Sequence, residues 1–238
     1  MRTKGRCWAA GLVAGVIATV ASPQYAAAQS SDGAIPPLVE RDQTWDTIST
    51  ASMLIGAASV SLMPRIYYSS PDATVGWKAR WHISALAPIM TFTSVTLLVD
   101  GPVKNAIQSN RPGCTTDFTL ARLPGSECES FGGPSTHAFA AWGSFGYGTA
   151  VFLVDTLKYS DSEVSVGSLV GNVALPFSTA ILSSVARAQA GSGAEGHESA
   201  GQIVAGTLPG VAVGALLGLG YAWLQEPDCG YGGYIFCW

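Results

Sequence analysis

The chain has 238 residues, enough for one sizeable core, and 48% of them are hydrophobic while only 12% are charged. Soluble domains carry about 25% charge, so an ordinary water-facing surface is not expected over the whole molecule. The formal net charge of −4 excludes a broad basic face for nucleic acid.

The N-terminus has a basic start in Arg2, Lys4 and Arg6, then an apolar run from Cys7 to Val20. Ala26-Ala27-Ala28 before Gln29 fits the small-residue cleavage rule, so residues 1–28 are read as a signal peptide. The same run also fits a retained first membrane helix. Cleavage would move the formal charge from −4 to −7 and leave nine Lys and Arg, three of them Lys104, Arg111 and Arg187. Positive charge is thus concentrated where a local anion site would need it.

Residues 29–44 are Ser-, Pro- and charge-rich and read as a linker. Five apolar segments follow, at about 46–63, 83–99, 137–154, 167–186 and 201–224. Each is too long for a strand and fits a helix. Pro-, Gly- and Ser-rich stretches separate them, including Ser69-Ser70-Pro71-Asp72 and Ala190-Gly191-Ser192-Gly193. The expectation is an all-α bundle of five mature helices, one domain over 45–226, with a Cys-containing tail at 227–238.

The 203–224 segment is apolar for about the 20 residues that a membrane span needs, and 83–99 is nearly so. The segments at 46–63 and 137–154 are diluted by Ser, Thr and Gly and fit either spans or buried helices of a soluble bundle. Arg65, Lys78 and Arg80 mark the loop after the first segment as cytoplasmic. If all five segments span, the loops at 100–136 and 187–200 share the periplasmic side. The expected location is the inner membrane with a periplasm-facing site, or the periplasm itself.

Four cysteines remain after Cys7: Cys114, Cys128, Cys229 and Cys237. An even number in an exported chain suggests disulfides. Proximity favours Cys114–Cys128 and Cys229–Cys237 among the three possible pairings. Closing a loop of about 15 residues stabilises by roughly 3 kcal/mol. No Cys-His spacing resembles a zinc site.

Lys104 and Arg111 are seven residues apart, about 700° of helical rotation, which would point both the same way. Asp100-Gly101-Pro102 reads as the start of that helix and Pro112 as its end. The two cations would clamp an oxyanion. A solvated face, with Asp100 paired to Lys104, is the plainer alternative. Pro134-Ser135-Thr136-His137 opens the next apolar segment. Ser135 is a candidate N-cap, and the free amides of a helix N-terminus bind anions. His137 is badly placed for the helix dipole alone, and a phosphate beside it would give it a role. Arg187 ends the fourth segment and His197 precedes the fifth. His82, beside Trp81 at an apolar boundary, reads as structural or interfacial.

These fragments resemble the three-part signature of the type 2 phosphatidic acid phosphatase (PAP2) and vanadium haloperoxidase superfamily, over residues 90–220. Its first part, Lys, six residues, Arg-Pro, is complete in Lys104, Arg111 and Pro112. Its second, Pro-Ser-Gly-His, has Thr136 in place of Gly. The third, Ser-Arg, five residues, His, three residues, Asp, departs further. Ala186 replaces Ser, nine residues separate Arg187 from His197, and Gly201 stands where Asp is expected. Gln202 and Glu198 are candidates to orient the histidine, with Glu195 a further carboxylate nearby.

The resemblance implies a helical bundle that hydrolyses a phosphate monoester or diphosphate, carried by a lipid, through a phosphohistidine. His197 would be the nucleophile and His137 the general acid and base. Lys104, Arg111, Ser135, Thr136 and Arg187 would hold the phosphate. No metal or cofactor is implied. Two alternatives stand beside it: a catalytically impaired phosphate-binding or membrane member, and a vanadate-dependent haloperoxidase, for which the chain is short.

Overall fold

The computed structural model describes residues 43–69, 76–112, 114, 131–190 and 198–227. The expected signal peptide and most of the linker therefore lie outside the described residues. So do His197, Cys128, Cys229 and Cys237.

The described residues are mostly helical, as the segment lengths predict. Five long helices form: α1 (Gln43–Leu62), α2 (Ile83–Ile107), α3 (Thr136–Tyr159), α4 (Val166–Gln189) and α5 (Ala200–Leu224). Serines start three of them. The hydroxyls of Ser135, Ser165 and Ser199 each accept from a backbone N–H in the first turn of α3, α4 and α5, satisfying donors that no helical carbonyl can reach. Ser199 and Gln202 complete a reciprocal capping box.

Helix α3 is central. Ala138, Phe139, Ala141 and Trp142 are buried in its first half. It packs on α5 along a stripe of Gly206, Gly210, Gly214 and Gly218, where a Cβ would collide with the carbonyls of Ser135, Phe139, Gly143 and Tyr147 in turn. Four-residue spacing puts these glycines in one row, so the two backbones approach closely. Helix α1 packs on α4 through small polar residues: Ser49 Oγ lies 3.2 Å from Ser183 Oγ, and Gly56 abuts Thr179.

Three sequence expectations require correction. The segment after α1 is not a plain loop: β1 (Arg65–Ser69) and β2 (Gly76–Arg80) form an antiparallel hairpin. Ile66, Tyr67, Tyr68 and Trp77 favour a pleated ribbon, and five residues per strand is too short for alternation to stand out. Next, Asp100-Gly101-Pro102 does not start a helix. It lies inside α2, in a π-helical turn over Val99–Val103 that accommodates Pro102. Finally, the helix ends at Ile107, because Gln108 takes the left-handed conformation (φ 54°). Arg111 is therefore beyond the helix, and the shared-face argument for Lys104 and Arg111 fails.

Helices α2, α4 and α5 are each long and apolar enough to cross a membrane. Helix α2 turns most of its apolar surface outward, with Met90 67% and Leu97 66% exposed. Leu208, Leu216 and Trp223 do the same on α5. Outward apolar area on this scale marks an interaction with lipid or protein.

At the C-terminal ends of α3 and α5, a buried ion pair joins Arg65 of β1 to Asp155 of α3. Arg65 also donates to the carbonyls of Ala222 and Gln225 and lies over the Tyr159 and Tyr221 rings.

Candidate functional site

Lys104, Arg111, Ser135, Thr136, His137 and Arg187 gather at the other end of α3, where its N-terminus meets the last turns of α2 and α4 and the start of α5. Lys104 sits in the final turn of α2, buried, with Nζ 3.0 Å from Asp100 Oδ1. That same carboxylate oxygen accepts from the Thr136 hydroxyl at 2.7 Å. Asp100 thus ties Lys104 of α2 to Thr136 at the start of α3.

Arg111 and Arg187 are both buried and converge on one oxygen. Glu198 Oε1 lies 3.0 Å from Arg187 Nη2 and 3.7 Å from Arg111 Nη2. Arg187 Nη1 binds Asp46 Oδ1 at 2.6 Å. Burial alone would push the Glu198 carboxyl up. Arg187, then Arg111, the Ser135 hydroxyl and Lys104 outweigh it, and the group is held below the usual carboxylate range. Glu198 is therefore an anion at neutral pH.

His137, in the first turn of α3, places Nε2 3.2 Å from Thr50 Oγ1 of α1. Its pKa is lowered to about 4, first by burial and then by Arg187, against the opposing pull of Glu198 and Asp46. The imidazole is neutral at pH 7.

Gln202 holds the segments together. Its side-chain nitrogen donates to Ser109 Oγ at 2.9 Å and to the Asn110 carbonyl at 2.8 Å. Its side-chain oxygen accepts from Ser199 N, and its backbone carbonyl accepts from Ser135 N at 2.9 Å. A bridge between Ser109 and Gly133, with Gly132 N donating to Ser109 O, adds a second tie. Both polar atoms of the Gln202 amide are engaged in scaffolding. Gly201, which has no side chain, stands beside it.

A largely apolar groove of about 510 Å³ adjoins the cluster between α2 and α5. Val99, Val103, Ile107, Phe139, Ala205 and Pro209 wall it, and Ser109, Gly133 and Gln202 lie on the side of the charged residues.

Asp46 and Thr50 of α1 belong to the site although no motif pointed to them. Their four-residue spacing on a helix, one acidic and one hydroxylic, is the signal that was present. Cys114, two residues after Pro112, is disulfide-bonded. Its expected partner Cys128 is outside the described residues, as is the expected Cys229–Cys237 pair. His82 is buried, with Nε2 2.9 Å from the Pro227 carbonyl, and takes a structural place near Arg65. Among the described residues, no three His, Cys, Asp or Glu side chains form a metal-holding group.

No family model, curated protein or solved structure matches the chain. The functional reading therefore rests on the signature residues and on this geometry.

Proposed function

We propose that the chain is a phosphatase of the cell envelope, acting on a phosphate monoester or diphosphate carried by a lipid. The observation that carries this reading is the gathering of Lys104, Arg111 and Arg187 around the Ser135-capped N-terminus of α3, beside His137. Three buried cations and a helix N-terminus suit an oxyanion whose charge grows in a transition state. The groove between two membrane-capable helices would take the apolar part of the substrate.

In this mechanism His197 attacks phosphorus and the bond to the leaving oxygen breaks. His137 gives that oxygen a proton, then takes one from the water that cleaves the phosphohistidine. A neutral His137 must first gain its proton; burial, then Arg187, keep the proton off, and the charge of a bound phosphate dianion pulls the other way. Lys104, Arg111, Ser135, Thr136 and Arg187 hold the phosphoryl oxygens. The membrane-capable helices support a place in a membrane; we put the site on the periplasmic face of the inner membrane, following the export signal read in the sequence.

A second reading, a phosphate-binding member without turnover, is favoured by Gly201 and by the engagement of the Gln202 amide in scaffolding. Purified protein assayed for phosphate release from lipid phosphates, with and without vanadate, separates the two. The phosphatase reading expects release that vanadate blocks and that His197→Ala abolishes. Wild-type turnover in His197→Ala would remove the phosphohistidine mechanism. Phosphate binding without any release would leave the second reading.

A further inference from the structure

We propose that the Glu198 carboxylate is an internal competitor for the anion site: it holds Arg111 and Arg187, and a phosphate-type oxyanion binds by displacing it. The proposal rests on reading this cluster as a phosphate site and concerns how that site is controlled.

Three features carry it. Arg111 and Arg187, from two different signature parts, both direct a guanidinium nitrogen to Glu198 Oε1, in a side chain only 1% exposed. A guanidinium fork matches an oxyanion through two nitrogens on two oxygens. Here the other carboxylate oxygen, Oε2, is buried with no partner of hydrogen-bond geometry among the described residues. Buried carboxylates that serve only structure are normally satisfied at both oxygens. A tetrahedral oxyanion has enough oxygens to occupy both arginines, whereas this carboxylate reaches them through one.

Charge balance agrees. The cluster's ion pairs set Lys104, Arg111 and Arg187 against Asp100, Glu198 and Asp46. Asp100 and Asp46 approach the cluster from helical turns, Asp100 on Lys104 and Asp46 on Arg187. Glu198 Oε1 meets two of these cations, Arg187 and Arg111. It precedes the Ser199 cap, in non-helical backbone, so its side chain can leave without unwinding α5. Ser135 and Lys104 face the same carboxylate from α3 and α2. They are the groups a displacing oxyanion would meet next.

The test is calorimetric titration of the full chain with inorganic phosphate at constant pH and salt, for wild type, Glu198→Gln and Glu198→Asp. Glutamine keeps the shape and removes the charge. Aspartate keeps the charge but is a methylene too short to span both arginines. Each should bind phosphate about ten- to a hundredfold more tightly than wild type, the worth of one charge-assisted hydrogen bond no longer displaced. Adding Arg111→Ala to either variant should remove the gain. Circular dichroism identifies a variant that fails to fold, and the other then decides. If wild type binds phosphate and the folded variants bind equally or more weakly, Glu198 supports the ligand and the proposal is overturned while the phosphate-site reading stands. If neither wild type nor a folded variant binds phosphate, the site reading falls and takes the proposal with it.

Discussion

At the scale of single residues, His137 and Glu198 make the fold sensitive to acid. The folded pKa of His137 is about 4, against 6.5 for the imidazole exposed to water. As pH falls, the unfolded chain takes up this proton first. The stability tied to a neutral His137 is whole above pH 6.5 and is lost as pH falls toward 4. Glu198, held below its ordinary 4.5, contributes stability above that value and loses it as pH falls through the folded one. Unfolding free energy should therefore decline from pH 6.5 downward, with His137 adding at most about 1.4 kcal/mol per pH unit. His137→Gln should flatten the upper part of that decline. Denaturant titrations of both proteins from pH 7 to 4 check it, and parallel curves would show that His137 is not the group responsible. Of the site at this scale, Lys104, Arg111, Ser135, Thr136, His137 and Arg187 were legible as residue types at particular spacings. The contact of Glu198 with both arginines was not, because a carboxylate near a motif carries no sign of which cations it will meet. Asp46 and Thr50 lie far from the signature in sequence, and Asp46 reaches Arg187 across 141 residues.

At the scale of elements, helix positions were legible because apolar runs of helical length have few other solutions, and the Ser caps sharpen their starts. Two errors fell where backbone geometry overrides pattern, the π-turn that admits Pro102 and the left-handed Gln108 that ends α2 before Arg111, and the third was the hairpin, whose strands are too short to show alternation. The glycine row of α5 yields a prediction. Gly210→Val would drive a side chain into the backbone of Phe139, two residues from His137. Overpacking of this kind costs about 1–3 kcal/mol, and it should also weaken phosphate binding by displacing the α3 N-terminus. Gly220→Ala, on the same helix with open space around it, should change neither. Thermal melts and phosphate titrations of the two variants make the comparison. Equal behaviour would mean that α3 and α5 tolerate separation.

At the scale of the molecule, α3 runs between two polar clusters, one around Glu198 and one around Arg65 and Asp155. The second cluster holds the C-terminal ends of α3 and α5 and the hairpin, and no signature residue belongs to it. Asp155→Ala leaves a buried guanidinium without its charge partner, at a cost of about 3–5 kcal/mol. Phosphate affinity of the molecules that remain folded should be unchanged, which urea unfolding and titration of the same preparation test together. A loss of affinity in folded protein would show that the two ends communicate.

Every long helix sends a group to the Glu198 end: Asp46 and Thr50 from α1, Lys104 from α2, His137 from α3, Arg187 from α4, and Gln202 from α5. An anion bound there therefore touches a junction that exists only when all five helices are assembled, and the unfolded chain has nothing comparable to offer it. Ligand occupancy and bundle assembly become one equilibrium. Phosphate at about a hundred times its Kd should stabilise the whole fold by about 2.7 kcal/mol. The unfolding midpoint should climb with phosphate concentration, making the melting curve itself a binding assay that needs no substrate and no turnover.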